Sequence, residues 1–236
     1  MCNSWINAHN MYRWTVNLNL FKKAKKYPGY FNRVITPANV IEFENAFRKT
    51  ISETGLFEVA GEVCFWKNYS NFQSRNRITL KLLTHLQIPM NWISFTQTIE
   101  RLSNQSSYNN FITFRDTCNQ PRGFATPLTF LAFYNPTEYP MVDKHIAYWW
   151  VENKAHYGYE SSPIFSQRGD GWVQTYTTSQ NKQNWVAYIS WTEFCRDYAR
   201  RVTKKCKENW RARDVEMAVW EAQKHNISLN VLPLNC

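Results

Sequence analysis

The residues best able to do chemistry lie between Arg122 and His145. Arg122-Gly123-Phe124-Ala125-Thr126-Pro127 reads as a tight turn running into an apolar helix, and Pro136 and Pro140 bracket a loop that ends on a single acid, Asp143. Backbone amides at the start of a helix sit at the positive end of its dipole, so those of Gly123, Phe124 and Ala125 are placed to grip a phosphate. A carboxylate delivered at the end of the loop can stabilise positive charge developing on a substrate. Asp143 also stands where a helix N-cap belongs, ahead of Ile146, Ala147, Trp149 and Trp150, and the two roles are compatible. Lys144 and His145 follow it directly. The candidate phosphate-contacting set is therefore Arg122, Gly123, Phe124, Ala125, Thr126, Lys144 and His145.

The composition narrows the partner. Lys and Arg number 28 against 18 Asp and Glu, a net charge of +10 that points to a polyanion such as nucleic acid. No apolar run reaches the ~18 residues of a membrane span, and the first residues lack the order of a signal peptide, so a soluble, intracellular (cytoplasmic) chain without membrane contact is expected. Six scattered cysteines, with no Cys-x-x-Cys pair and no Cys/His spacing suited to zinc, predict free thiols and neither metal nor cofactor. Aromatic residues make up 17% of the chain, a surplus that suits base stacking beyond core packing.

The elements that must position these residues are helical. Thr36-Pro37 predicts an N-cap and first turn for a helix through Val40, Ile41, Phe43, Phe47 and Ile51 that stops at Gly55. Further helices are expected over about 76–86, 91–102 and 111–115. Thr126-Pro127 should open another that ends before Pro136, Asp143 should cap the next, and two more are expected over about 190–204 and 212–225. A long loop insertion is expected near 155–184, where Gly, Pro and small polar residues are interleaved with aromatics. Residues 1–35 read as an irregular segment open between a helix and strands, since 14–21 alternates like a strand.

Taken together, the turn, the apolar helix, the Pro-rich loop and Pro140-Met141-Val142-Asp143 resemble the helix-hairpin-helix, Gly/Pro-rich loop and aspartate signature of the endonuclease III and adenine-glycosylase (HhH-GPD) superfamily of DNA glycosylases. The resemblance spans some 25 residues and places Gly123 on the second hairpin glycine. It implies a mainly α, two-lobed fold in one glycosylase unit: a central lobe of 36–134 with a hairpin near 118–128, and a second lobe of 1–35 plus 143–236. It also implies a monomer that excises a damaged or modified base from DNA, with Asp143 catalytic. Departures from the pattern refine this. Pro121 replaces the first hairpin glycine, Ala125 and Thr126 stand where bifunctional members carry a Schiff-base lysine, and the C-terminal cysteines do not fit an iron-sulfur motif. A monofunctional enzyme without cofactor is expected, its substrate extending to bulky phage-type bases. Its flipped base would be held by aromatic or apolar walls. Trp66, Asn68, Trp149, Trp172 and Tyr176 are the candidates. A DNA-binding protein that has lost catalysis is the alternative.

Overall fold

The computed structural model of the chain describes residues 3–23, 31–120, 123–166 and 178–233. It is mainly helical and divides into two compact units, Arg13–Asn135 and a discontinuous one of Met1–Tyr12 with Pro136–Cys236. No helix among the described residues is long and apolar enough to cross a membrane.

In the unit Arg13–Asn135, β1 (Val16–Asn17) pairs antiparallel with β2 (Val34–Ile35). There follow α2 (Val40–Lys49), a π-helical turn ended by Gly55 at φ 64°, α3 (Glu58–Lys67), α4 (Arg75–Leu86), α5 (Pro89–Asn104), α6 (Tyr108–Thr117) and α7 (Ala125–Tyr134). The expectation that all of 1–35 joins the C-terminal lobe needs correcting. Phe21 stacks on Phe31 at 4.5 Å and meets Phe65 edge-on at 5.6 Å, which ties 13–23 and 31–35 to α3.

Helix α3 was not expected from the sequence. Every residue from Val59 to Trp66 is buried, so the segment lacks the polar face that gives a helix its period. It packs on α2, α4 and α7. Around it Phe43 and Trp66 both meet Phe133 edge-on, while Phe47 stacks on Phe130.

Two expected caps are also corrected. The carboxamide of Asn39 accepts from the Thr36 amide at 2.6 Å and closes a turn there, so α2 begins at Val40. At α7 the N-cap position is Phe124, and Thr126 and Pro127 lie inside the first turn.

The discontinuous unit contains α1 (Asn3–Asn10), α8 (Lys144–Asn153), a 3-10 turn closed by Gly158 at φ 82°, α9 (Thr178–Cys206) and α10 (Ala212–His225). Helix α10 packs against α1, α8 and α9. The expected loop of 155–184 is shorter than read, because α9 starts at Thr178. Polar 178–184 carries no apolar period, yet Asn184 is fully buried and accepts from the Ser166 amide at 2.7 Å, which anchors this end of the helix. The expectation of six free thiols fails at Cys206, which is in a disulfide, whereas Cys64, Cys118 and Cys195 are free and buried.

Gly61 gives the fold a direct test, since a Cβ built there would lie 2.5 Å from Leu83 Cδ2. Gly61→Ala is expected to destabilise the chain by about 1–3 kcal/mol through overpacking between α3 and α4. A melting temperature equal to that of the parent would contradict this packing.

Candidate functional site

The segment Pro136–Asp143 has no regular structure, yet Tyr139, Pro140, Met141 and Val142 are buried. Buried backbone carbonyls need donors, and α9 and α10 supply them. The amides of Arg213 and Ala212, at the start of α10, donate to Pro136 O and Thr137 O at 3.1 Å each. These are amides that no intrahelical partner can serve, so one set of orphans satisfies another. Arg196 Nε donates to Glu138 O at 3.0 Å, Tyr188 Oη to Pro140 O at 2.9 Å, and Trp191 Nε1 to Met141 O at 3.0 Å. The start of α10 is itself held by a capping box in which Asp214 accepts from the Arg211 amide at 2.8 Å. Burial alone would raise the Asp214 pKa, but hydrogen bonds from His9 and Arg211 and the Arg211 charge hold it well below the usual carboxylate range.

This pinned segment delivers Asp143 to the N-terminus of α8. Its Oδ1 accepts from the Ile146 amide at 3.1 Å, which makes it the N-cap, worth about 1 kcal/mol. Its Oδ2 accepts from Trp220 Nε1 at 3.0 Å. The carboxyl group is half-buried, and of the about four acceptor positions of a carboxylate these bonds use two.

Trp220 is packed on three sides. Tyr12 meets it edge-on at 5.8 Å, His145 edge-on at 5.7 Å, and Lys224 Nζ lies 4.8 Å from its ring centroid. Desolvation lowers the His145 pKa against the pull of Asp143, and Lys144 and Lys224 lower it further. The net effect favours the neutral ring. Sequence reasoning found Asp143, Lys144 and His145 but assigned no part here to Trp220 or Lys224. The signal available was their spacing of four residues on α10, which places them on one helix face.

The α6–α7 turn, where a hairpin is expected, belongs to the unit Arg13–Asn135. Among its described residues Asn119 is left-handed, at φ 52°, and Gly123 is not. The Gly123 amide donates to Gln120 O at 2.8 Å, so it is spent inside the turn and does not join a phosphate grip. Pro127, at the third helical position, has no N–H, which leaves Ala125 and Thr126 as the open donors of the first turn of α7. Gly123 is needed for closeness, because a Cβ there would lie 2.8 Å from Gln120 Oε1. Beside the turn is a cleft of about 300 Å³ lined by Arg77, Ile78, Lys81, Leu82, Cys118, Asn119, Gln120 and Gly123.

The base-pocket candidates are dispersed. Trp66 (1% exposed) is in the core of its unit against Phe133, and Trp149 (3% exposed) is packed among Tyr157, Trp191 and Phe194, so neither offers a ring face to a base. Asn68 caps the end of α3, its Nδ2 donating to Cys64 O at 2.8 Å. Arg122, Trp172 and Tyr176 lie outside the described residues. No group of three or more His, Cys, Asp or Glu among the described residues is arranged to hold a metal ion.

Neither a protein-family model, nor a curated protein, nor a solved structure matches the chain.

The His145 environment predicts a pH dependence. A histidine whose pKa is lowered by folding contributes stability that is complete above the unfolded value of 6.5 and is lost as the pH falls below it. The His145 ring should titrate below 6.5 in an NMR titration, and His145→Gln should flatten the loss of stability on acidification. A midpoint at or above 6.5 would contradict the desolvated setting.

Proposed function

We propose that the chain is a monofunctional DNA glycosylase, hydrolysing the N-glycosidic bond of a damaged or modified base without metal or cofactor. The observation that carries this reading is Asp143, a half-buried carboxylate oriented by two donors from two helices with acceptor positions to spare. As the base departs the sugar becomes cationic, and a fixed carboxylate beside it stabilises that charge without reorganising and can orient the attacking water. The net charge of +10 favours a DNA partner, bound as a monomer through its phosphates. The target base is flipped out of the duplex, and a bulky phage-type base is within this class.

The reading draws on the resemblance between residues 123 and 143 and the superfamily signature, including Ala125 and Thr126 where a lyase lysine would stand. The alternative, a DNA-binding protein without catalysis, is favoured by one feature: the hydrogen bonds to both oxygens of Asp143 would also be made by a purely structural N-cap.

Asp143→Asn separates the two. Asparagine caps a helix as well as aspartate does, so the bond from the Ile146 amide is kept while the negative charge is removed; the bond from Trp220 Nε1 is lost, because an amide nitrogen cannot accept it, and a melting temperature measured alongside separates that effect on the fold from loss of chemistry. Incubating the protein with panels of DNA carrying modified bases, including altered cytosines, and detecting free base and abasic sites by mass spectrometry should show excision. Asp143→Asn should slow it by on the order of 10²-fold or more, with duplex affinity nearly unchanged. Full activity in that variant, or no released base from any panel, would refute the assignment.

A further inference from the structure

Helix α4 has the sequence RNRITLKLLTHL, with three cations and no acid. Positive charge in a first turn opposes the helix dipole, so each such residue needs a compensating reason. Arg75 has one. Its Nη1 donates to Tyr69 O at 2.7 Å, and its guanidinium lies 4.7 to 5.2 Å from the ring centroids of Tyr69, Phe72 and Phe65. Arg77 has none. It is exposed, like Lys81 one turn further on, and neither makes an ion pair or a side-chain hydrogen bond among the described residues. Like charges four apart repel each other on a helix face.

Both side chains line the cleft beside the hairpin, opposite Asn119, Gln120 and Gly123, with Ile78, Leu82 and Cys118 completing its wall. Asp116, the acid nearest in sequence to the turn, is taken by Arg115, whose Nε and Nη2 donate to its Oδ1 at 3.1 and 3.0 Å. Gln120 also lines the cleft, its Nε2 shielded from solvent and without an acceptor among the described residues. The volume of about 300 Å³ is at the lower end of small-ligand pockets, room for a phosphate and its adjoining sugar.

We propose that this cleft is a phosphate site, in which Arg77 and Lys81 clamp the anion against Asn119, Gln120 and Gly123. The phosphate comes either from a nucleic-acid backbone or from a free nucleotide, and the site does not depend on excision chemistry at Asp143.

The test compares the parent protein with Arg77→Gln/Lys81→Gln and with a charge-matched control, Lys204→Gln/Lys207→Gln, on a distant part of the sequence. All four side chains are exposed, so the variants should fold, which circular dichroism would verify. Affinity for a short unmodified duplex is measured across a salt series, and calorimetry follows inorganic phosphate and a deoxynucleoside monophosphate. The cleft variant should lose roughly tenfold in duplex affinity at moderate salt and its salt slope should fall by about one per cation removed, with a smaller loss in the control. Binding of the monophosphate to the parent and not to the cleft variant would assign the free nucleotide as the source. Duplex binding alone would assign the backbone. Equal losses in both variants, or unchanged affinity and slope in the cleft variant together with no binding of either small anion, would overturn the site. A failed cleft would leave base release by the parent intact, whereas a failed Asp143 assignment would leave phosphate binding intact.

Discussion

The carbonyls of the largely buried segment Pro136–Met141 are the constraint on which the candidate catalytic residue depends. A segment without regular structure can be buried only if its polar groups are paired, and here the donors come from the N-terminal amides of α10 and from Arg196, Tyr188 and Trp191 on α9. The same contacts fix where the chain emerges, and hence where Asp143 stands.

Its orientation matters because a carboxylate is useful only if it does not have to reorganise when charge appears beside it. Asp143 is held by the Ile146 amide through one oxygen and the Trp220 indole through the other. Trp220 is in turn packed by Tyr12, His145 and Lys224. Within the proposed function, anion recognition in the unit Arg13–Asn135 rests on side-chain cations of α4 more than on hairpin amides, since the turn consumes the Gly123 amide.

Much of the helical organisation was legible in the sequence, and the failures have physical causes. Helix α10 has the expected bounds, because Val215, Ala218, Val219 and Ala222 recur at helical spacing and Asn226 closes it in the left-handed region. Asp143 was readable as an N-cap from its place before an apolar run. Helix α3 was not, since burial on all sides leaves no alternation to detect. The start of α9 was hidden because its polar residues are anchored by a contact between Asn184 and Ser166 that is remote in sequence. At the site, local residues were found and remote ones missed: Trp220 is 77 positions from Asp143. Trp66 and Trp149 were assigned to a base pocket from residue type alone, and type does not distinguish a stacking surface from a core.

The central claim is that Asp143 faces a sugar that becomes cationic. It is tested most directly by comparing affinities for two duplexes, one with a pyrrolidine in place of the target sugar, cationic at neutral pH, and one with the neutral tetrahydrofuran. The account predicts that the cationic duplex binds tighter by about 10²-fold or more, as transition-state mimics do, with the preference lost when the carboxylate is replaced by a carboxamide. Equal affinity for the two duplexes would contradict it.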